Sequence, residues 1–315
     1  MFNEDVSPIM LMNSDDSAVA PPSPAPNALH TILAKNAVVE KLVGGFIFTE
    51  GPVYEAATDT VVFSDIPADT LYRYSVATGA VSPFRHPSGQ ANGNTRDHSG
   101  RLITCEHENR RVSRTEADGM VVTLAYAFAN KRLNSPNDIV VKSDGTLYFT
   151  DPPYGLPSET VGKEQEHNGV YRIDRAGKLT LLVDDFVRPN GLAFSPDEKT
   201  LYIDDSREQH IRAFAVADDG TLSNGRLFAE MRDPAKKGNA DGMKVDHKGT
   251  VFCTGAGGVW VFSPDGRHRG TIEAPEVPAN ICFGDTDGKS LYITAHTGLY
   301  RIRLQAAGPI PGRKS

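Results

Sequence analysis

Glu50, Asn137, Asn190 and Asp241 each carry a side-chain oxygen, and each opens the same short pattern: Glu50-Gly51-Pro52, Asn137-Asp138-Ile139, Asn190-Gly191-Leu192 and Asp241-Gly242-Met243. Gathered at one point, two carboxylates and two amide carbonyls would form a hard-oxygen, doubly negative site with no His or Cys ligand. Such a donor set suits calcium, which takes about six to eight oxygens in irregular geometry and leaves places for water and substrate. Magnesium and manganese are alternatives. Zinc is a weaker one, because its sites favour nitrogen and sulfur.

A repeat can bring these residues together. Asn92-Gly93-Asn94 and Asn280-Ile281-Cys282 have the same form, and the opening residues are 42, 45, 53, 51 and 39 positions apart. Each is followed by a polar turn and a strand-like run ending 14 or 15 positions on: Val61–Asp65, Leu102–Glu106, Leu147–Asp151, Leu201–Asp205, Val251–Gly255 and Leu291–Ala295. This spacing is that of four-stranded propeller blades. Within the third unit, Ile139–Val141 and Thr146–Thr150 flank Asp144-Gly145, a strong hairpin signal, and two more strand-like runs follow. The predicted fold is all-β, a six-bladed β-propeller with four-stranded blades. The sixth unit stops near Leu304, before Pro309 and Pro311, one strand short; Ala37–Val43 has strand character and can supply the missing strand to close the ring.

Residues 1–28 include the Pro/Ala-rich stretch from Ala18 to Asn27 and are expected to be a flexible segment; 29–306 form the propeller, and 307–315 a tail. The chain has 33 basic and 40 acidic residues, a formal charge of −7 that gives no attraction to nucleic acid or anionic membrane. A small-molecule partner fits better, on a monomer or weak dimer. No run approaches the roughly 18 apolar residues of a spanning helix, and the N-terminal residues lack a signal-peptide core, so a cytoplasmic location is expected before export. Cys105, Cys253 and Cys282 fall in strand-like runs and read as buried free thiols.

In a propeller the first strand of each blade lies nearest the axis and the second runs antiparallel beside it. The opening residues therefore belong around one mouth of the central channel, with Glu106, His107, Asp151, Asp205, Ser206 and His296 further out on the same face. Asx-Gly is also a common turn pair, which accounts for Asn92 or Asn280 taken singly. It accounts poorly for Glu50, and a ring of converging oxygens is costly without a shared ligand. His107 and His296 are candidates for proton transfer or substrate hydrogen bonding, Asp151 and Tyr154 for lining the pocket, and Asp204-Asp205 for capping turns or holding a structural calcium.

Phe48-Thr49-Glu50-Gly51-Pro52-Val53-Tyr54, Ser135-Pro136-Asn137-Asp138-Ile139-Val140, Tyr148 to Leu156, Arg188-Pro189-Asn190-Gly191-Leu192 and Ala240-Asp241-Gly242-Met243 resemble the motifs of the gluconolactonase, senescence marker protein and luciferin-regenerating family, and Cys105 to Arg111 resembles its bacterial gluconolactonase branch. The resemblance runs from about Val43 to Leu304. It implies a propeller with an axial divalent metal, usually calcium, that hydrolyses a lactone. Glu50, Asn190 and Asp241 match the family's metal ligands; Asn137 matches a position that contacts metal, metal-bound water or substrate. Animal sugar lactonases carry an arginine two residues before that Asn, where this chain has Ser135, a departure from their mode of sugar recognition. The expected reaction is opening of a sugar lactone such as glucono-1,5-lactone, with Asp241 as general base and Asn92, Asn137, His107, Asp151, Tyr154 and His296 contacting substrate. The alternatives are a calcium-dependent phosphotriesterase or aryl esterase, and a non-catalytic calcium-binding propeller.

Overall fold

A computed structural model describes residues 28–312. The expected flexible segment falls, but for Ala28, outside the described residues, as does the end of the tail. The rest is six four-stranded antiparallel sheets arranged as blades, plus one two-stranded ribbon, Ala127–Phe128 with Lys131–Arg132. Blades one to five each use four successive strands. Blade six takes Pro278–Gly284, Ser290–Ala295 and Gly298–Arg303 from the end of the propeller sequence and Glu40–Gly44 from its beginning. The ring is thus closed as expected, with the closing strand at residues 40–44.

The second strands read as near-continuous apolar runs because both faces of every blade are covered. Tyr148 packs into the core between blades three and four, while its neighbour Phe149 packs into the one between blades two and three. Phe252 and Cys253 divide in the same way between their two flanking interfaces. Alternate side chains of a strand point to opposite faces, so a strand buried on both needs apolar residues at both. One such cluster fills each of the six interfaces. All three cysteines are buried and free. No helix among the described residues is long and apolar enough to cross a membrane.

The six oxygen-bearing residues sit where the innermost strands begin. The pairing register slips beside them in blades one, two, four and six, at Glu50/Val53, Ala91/Asn94, Pro189/Leu192 and Pro278/Asn280. A slip of this kind re-aims a side chain. In blades three and five the short first strands Ile139–Val141 and Met243–Val245 start just after Asn137 and Asp241. The glycines that follow four of these residues are not turn residues. A Cβ on Gly191 would lie 2.1 Å from the Asp241 carbonyl oxygen and 2.6 Å from Asp204 Oδ2. One on Gly51 would lie 2.0 Å from the Asn92 carbonyl oxygen. Glycine is there because the next blade passes against it, and at Gly51 also because φ is 45°, which corrects the turn explanation of the Asx-Gly pairs.

Side-chain hydroxyls then tie blade to blade. Ser64 donates to the Asn92 carbonyl (2.6 Å), Thr150 to that of Asn190 (2.8 Å) and Thr254 to that of Ala279 (2.7 Å). At the equivalent place in blade four stands Asp204. The tail residues 307–312 line the opposite mouth of the channel: Ala307 accepts from His247 N–H (3.0 Å), Ile310 packs on the core between blades six and one, and Gly312 lies against Arg96 and Gly100 of blade two. A cavity of about 740 Å³ opens there, lined by Val53, Val141, Phe194, Lys244, Phe283 and Ile310 among others.

Gly191→Ala should therefore destabilise the protein by about 1–3 kcal/mol through overpacking alone, since Gly191 has an ordinary φ. Chemical denaturation of the variant checks this; an unchanged midpoint would contradict the close approach.

Candidate active site

Asn92, Asn137 and Asn190, from three successive blades, form a chain of side-chain hydrogen bonds across the channel mouth that leads toward Asp241 of the next blade. Asn92 Nδ2 donates to Asn137 Oδ1 (2.6 Å) and Asn137 Nδ2 donates to Asn190 Oδ1 (2.5 Å), while the Asn190 amide is near enough to Asp241 to favour its charged form. The direction of this chain orients every amide oxygen along the ring. Each carbonyl has two lone pairs, so Asn137 and Asn190 can accept one such bond and still face a cation. Glu50 lies at the same mouth, accepting from Gly51 N–H (2.6 Å), with the Asn280 side chain near enough to favour its charged form.

The carboxylates are held far from their ordinary state. Burial pushes Glu50 up to about 7, and the charge of Asp138 adds to the shift. Asp241 is raised well above the carboxylate range by burial, then by Glu50, Asp204 and Asp138. Asp204 is raised by burial and by Asp138. Glu50, Asp138 and Asp204 are all buried, while the nearby cation, Lys244, is half-buried and donates to the Met243 carbonyl (2.8 Å). Three oxygens of the cluster, Asp241 Oδ1, Asp204 Oδ1 and Asn92 Oδ1, have no access to solvent and no hydrogen-bond partner.

Mutually destabilised carboxylates and orphaned oxygens at one mouth fit a bound divalent cation with oxygen ligands. Among the described residues no three His, Cys, Asp or Glu side chains form a metal-binding group by themselves. Any cradle here must draw on amide oxygens.

His107 joins this cluster. Its Nε2 lies 3.2 Å from both Asn92 Nδ2 and Asn137 Oδ1, and burial lowers its pKa to about 4, so the ring is neutral. Tyr154 stands beside the cluster, its hydroxyl bonded to Ser206; burial and the charge of Asp241 push it up to about 12. Asp151 does not line the pocket. Burial raises it to about 7, and its Oδ2 accepts the Asn134 N–H (2.7 Å), holding the approach to the first strand of its own blade. Asp65 does the same for Ile47 and Phe48, and Asp205 for Val187 and Arg188; of the two uses expected of the Asp204-Asp205 pair, capping turns or holding a structural calcium, the Asp205 bonds are of the first kind. Glu106 is engaged by Arg85 and Arg111. His296 is exposed at the rim, edge-on to Phe48 at 5.9 Å, and separate from the amide chain. The Ser135 hydroxyl is occupied by the Pro152 carbonyl (2.6 Å) and the Gly155 N–H (2.8 Å).

Sequence reasoning passed over Asp138 and Lys244. Asp138 fills the slot that is glycine in four other units, and that mismatch was the available signal. Its Oδ2 meets Asn280 Nδ2 at 3.3 Å.

Residues 48–297 match the family described as SMP-30/Gluconolactonase/LRE-like region. This chain belongs to that family. A gluconolactonase of Zymomonas mobilis subsp. mobilis is 33% identical over 89% of this chain and 85% of its own length. The solved structure of a gluconolactonase from Xanthomonas campestris superposes with a TM-score of 0.82 at 36% identity, covering 91% of this chain and 96% of the other. A regucalcin of Oryctolagus cuniculus is 27% identical over 79% of this chain and 84% of its own. The six-bladed fold and the family expected from the sequence are both borne out, as is lactone hydrolase as the class of enzyme.

Metal-stripped protein should lose stability as pH rises. Folded Glu50 keeps its proton up to about 7 against an ordinary value of 4.5, so the folded state binds more protons across that window and the stability this confers is lost as pH rises through it. Calcium should reverse the loss, and Glu50→Gln should flatten the slope. Thermal melts across the window check both; a slope in E50Q as steep as in the native protein would contradict the assignment.

Proposed function

We propose that this chain opens sugar lactones at the channel mouth, with Glu50, Asn137, Asn190 and Asp241 holding a divalent cation, calcium by the all-oxygen character of the donors. The observation that carries the reading is the partnerless Asp241 Oδ1, inaccessible to solvent amid carboxylates that raise one another's pKa. A cation held there would supply positive charge for the negative charge that develops on the lactone carbonyl oxygen. The names of the lactonase relatives favour a lactone as substrate.

The chain's own groups do the rest. Asn92, Asn137 and neutral His107 present hydrogen-bonding groups to the hydroxyls of the lactone ring and fix its orientation. Asp241 takes a proton from water as the water oxygen bonds to the carbonyl carbon. The ring C–O bond then breaks, the ring oxygen receives the proton from Asp241, and a hydroxy acid forms. One water is consumed, and ionisation of the new carboxylic acid releases the proton that an assay follows.

The reading is tested by removing the metal with chelator, restoring calcium, magnesium, manganese or zinc separately, and following proton release from glucono-1,5-lactone. Activity should vanish and return best with calcium; full activity after chelation would overturn it. Asp241→Asn should lower turnover by about a hundredfold or more. Near-normal turnover with metal retained would remove Asp241 as base. Phosphotriesters and aryl esters should be poor substrates beside aldonolactones.

A further inference from the structure

Arg188 lies outside the proposed metal cradle, yet everything around it fixes its position. Its backbone N–H is held by the Asp205 carboxylate (3.2 Å), and its carbonyl accepts from the N–H of Ser206 (3.0 Å) and the Ser206 hydroxyl (3.3 Å). Its guanidinium carbon stands 5.4 Å from the centre of the Tyr154 ring, a cation–π distance. The Tyr154 hydroxyl bonds to Ser206 and is close enough to Asp241 for that charge to raise its pKa. The guanidinium therefore sits one aromatic ring out from the carboxylate that would handle the proton.

This cation has only a loose counter-ion. Its side chain is 32% exposed and pairs with Glu159, itself 53% exposed. Glu159 comes from the long connection between the second and third strands of blade three, a stretch without regular structure. An exposed pair of this kind contributes about 0–1 kcal/mol, so the carboxylate is readily displaced. What remains is a permanently charged, planar donor fork braced on an aromatic face and a clamped backbone, and that geometry matches a planar or tetrahedral oxyanion.

Resting on the lactonase reading above, we propose that Arg188 is a specificity determinant for lactones bearing an oxyanion at the end of the molecule distal to the carbonyl. The carbonyl lies over the axial oxygens, the sugar ring runs past Tyr154, and the distal phosphate, sulfonate or carboxylate takes the place that Glu159 holds on Arg188.

The test compares glucono-1,5-lactone with its 6-phosphate and with a glucarolactone, whose distal group is a carboxylate, using the full chain loaded with calcium. Arg188→Met should raise KM for the charged lactones about tenfold, the loss of one charge-assisted contact, and raise it less for the neutral lactone. Arg188→Lys should recover part of the difference. Glu159→Gln should lower KM for the charged lactones and leave the neutral one unchanged. A loss confined to the phosphate would narrow the group to phosphate esters; a loss shared by both charged substrates would indicate any distal oxyanion. An equal loss on all three lactones, or none, would overturn the proposal. If the native protein turns over no lactone, the reaction itself is misassigned. Calorimetry then decides Arg188 separately: the native protein should bind gluconate 6-phosphate more tightly than gluconate, R188M should lose that preference, and equal binding of the two by the native protein would overturn the role.

Discussion

Crowding of negative charge on one axis is the constraint to which the rest of the molecule answers. Glu50, Asp138 and Asp204 are buried within reach of one another, and Asp241 joins them, with half-buried Lys244 the nearby cation. Left alone, such a group costs several kcal/mol per unpaired ion or surrenders its charge by binding protons. The structure is built so that neither outcome is final. Amides from neighbouring blades hydrogen-bond around the cluster in one direction, and hydroxyls at the next level clamp the blades so that the oxygens cannot drift apart. Each apolar interface core works toward the same end: it holds a blade at the angle that aims one oxygen inward.

Symmetry supplies the positions and asymmetry supplies the chemistry. All six blades offer a residue to the axis, yet only blades one and five offer carboxylates at that level. On either side of the Asn137–Asn190 pair the environments diverge. Toward blade two, neutral His107 and Asn92 make an uncharged hydrogen-bonding wall. Toward blade four, Tyr154, Ser206 and Arg188 make an aromatic and cationic one. A ligand entering this mouth meets different partners at its two ends, which a perfectly repeated ring would not provide.

The ring, its blade count and the axial residues were legible in the sequence because they repeat at blade spacing, and repetition survives without knowledge of contacts. The reason for the glycines was not legible. Gly191 looks like a turn residue, and only the neighbouring blade's carbonyl, pressed against it, gives its purpose. Asp151 looks like a pocket residue because it ends a strand on the correct face; a rotation about its side chain decides between ligand and backbone, and in this chain the Asn134 N–H takes it. Asp138 and Lys244 escaped because their importance lies in which charges they meet across the axis. Those partners are more than 100 positions away in sequence for Asp138 and Asn280, which are 142 apart.

Glu40–Gly44 pairs with Gly298–Arg303, and the ion pair between Glu40 and Arg301 joins residues 261 positions apart. During synthesis the earliest strand of the propeller must wait, unpaired along its edge, until nearly the last strand has left the ribosome. Closing so long a loop is entropically expensive and comes late, so the contact that completes blade six also governs how long the nascent ring stays open to wrong partners. The same late contact brings the axial oxygens of blades one and six into lasting register, which ties competence at the channel mouth to completion of the chain.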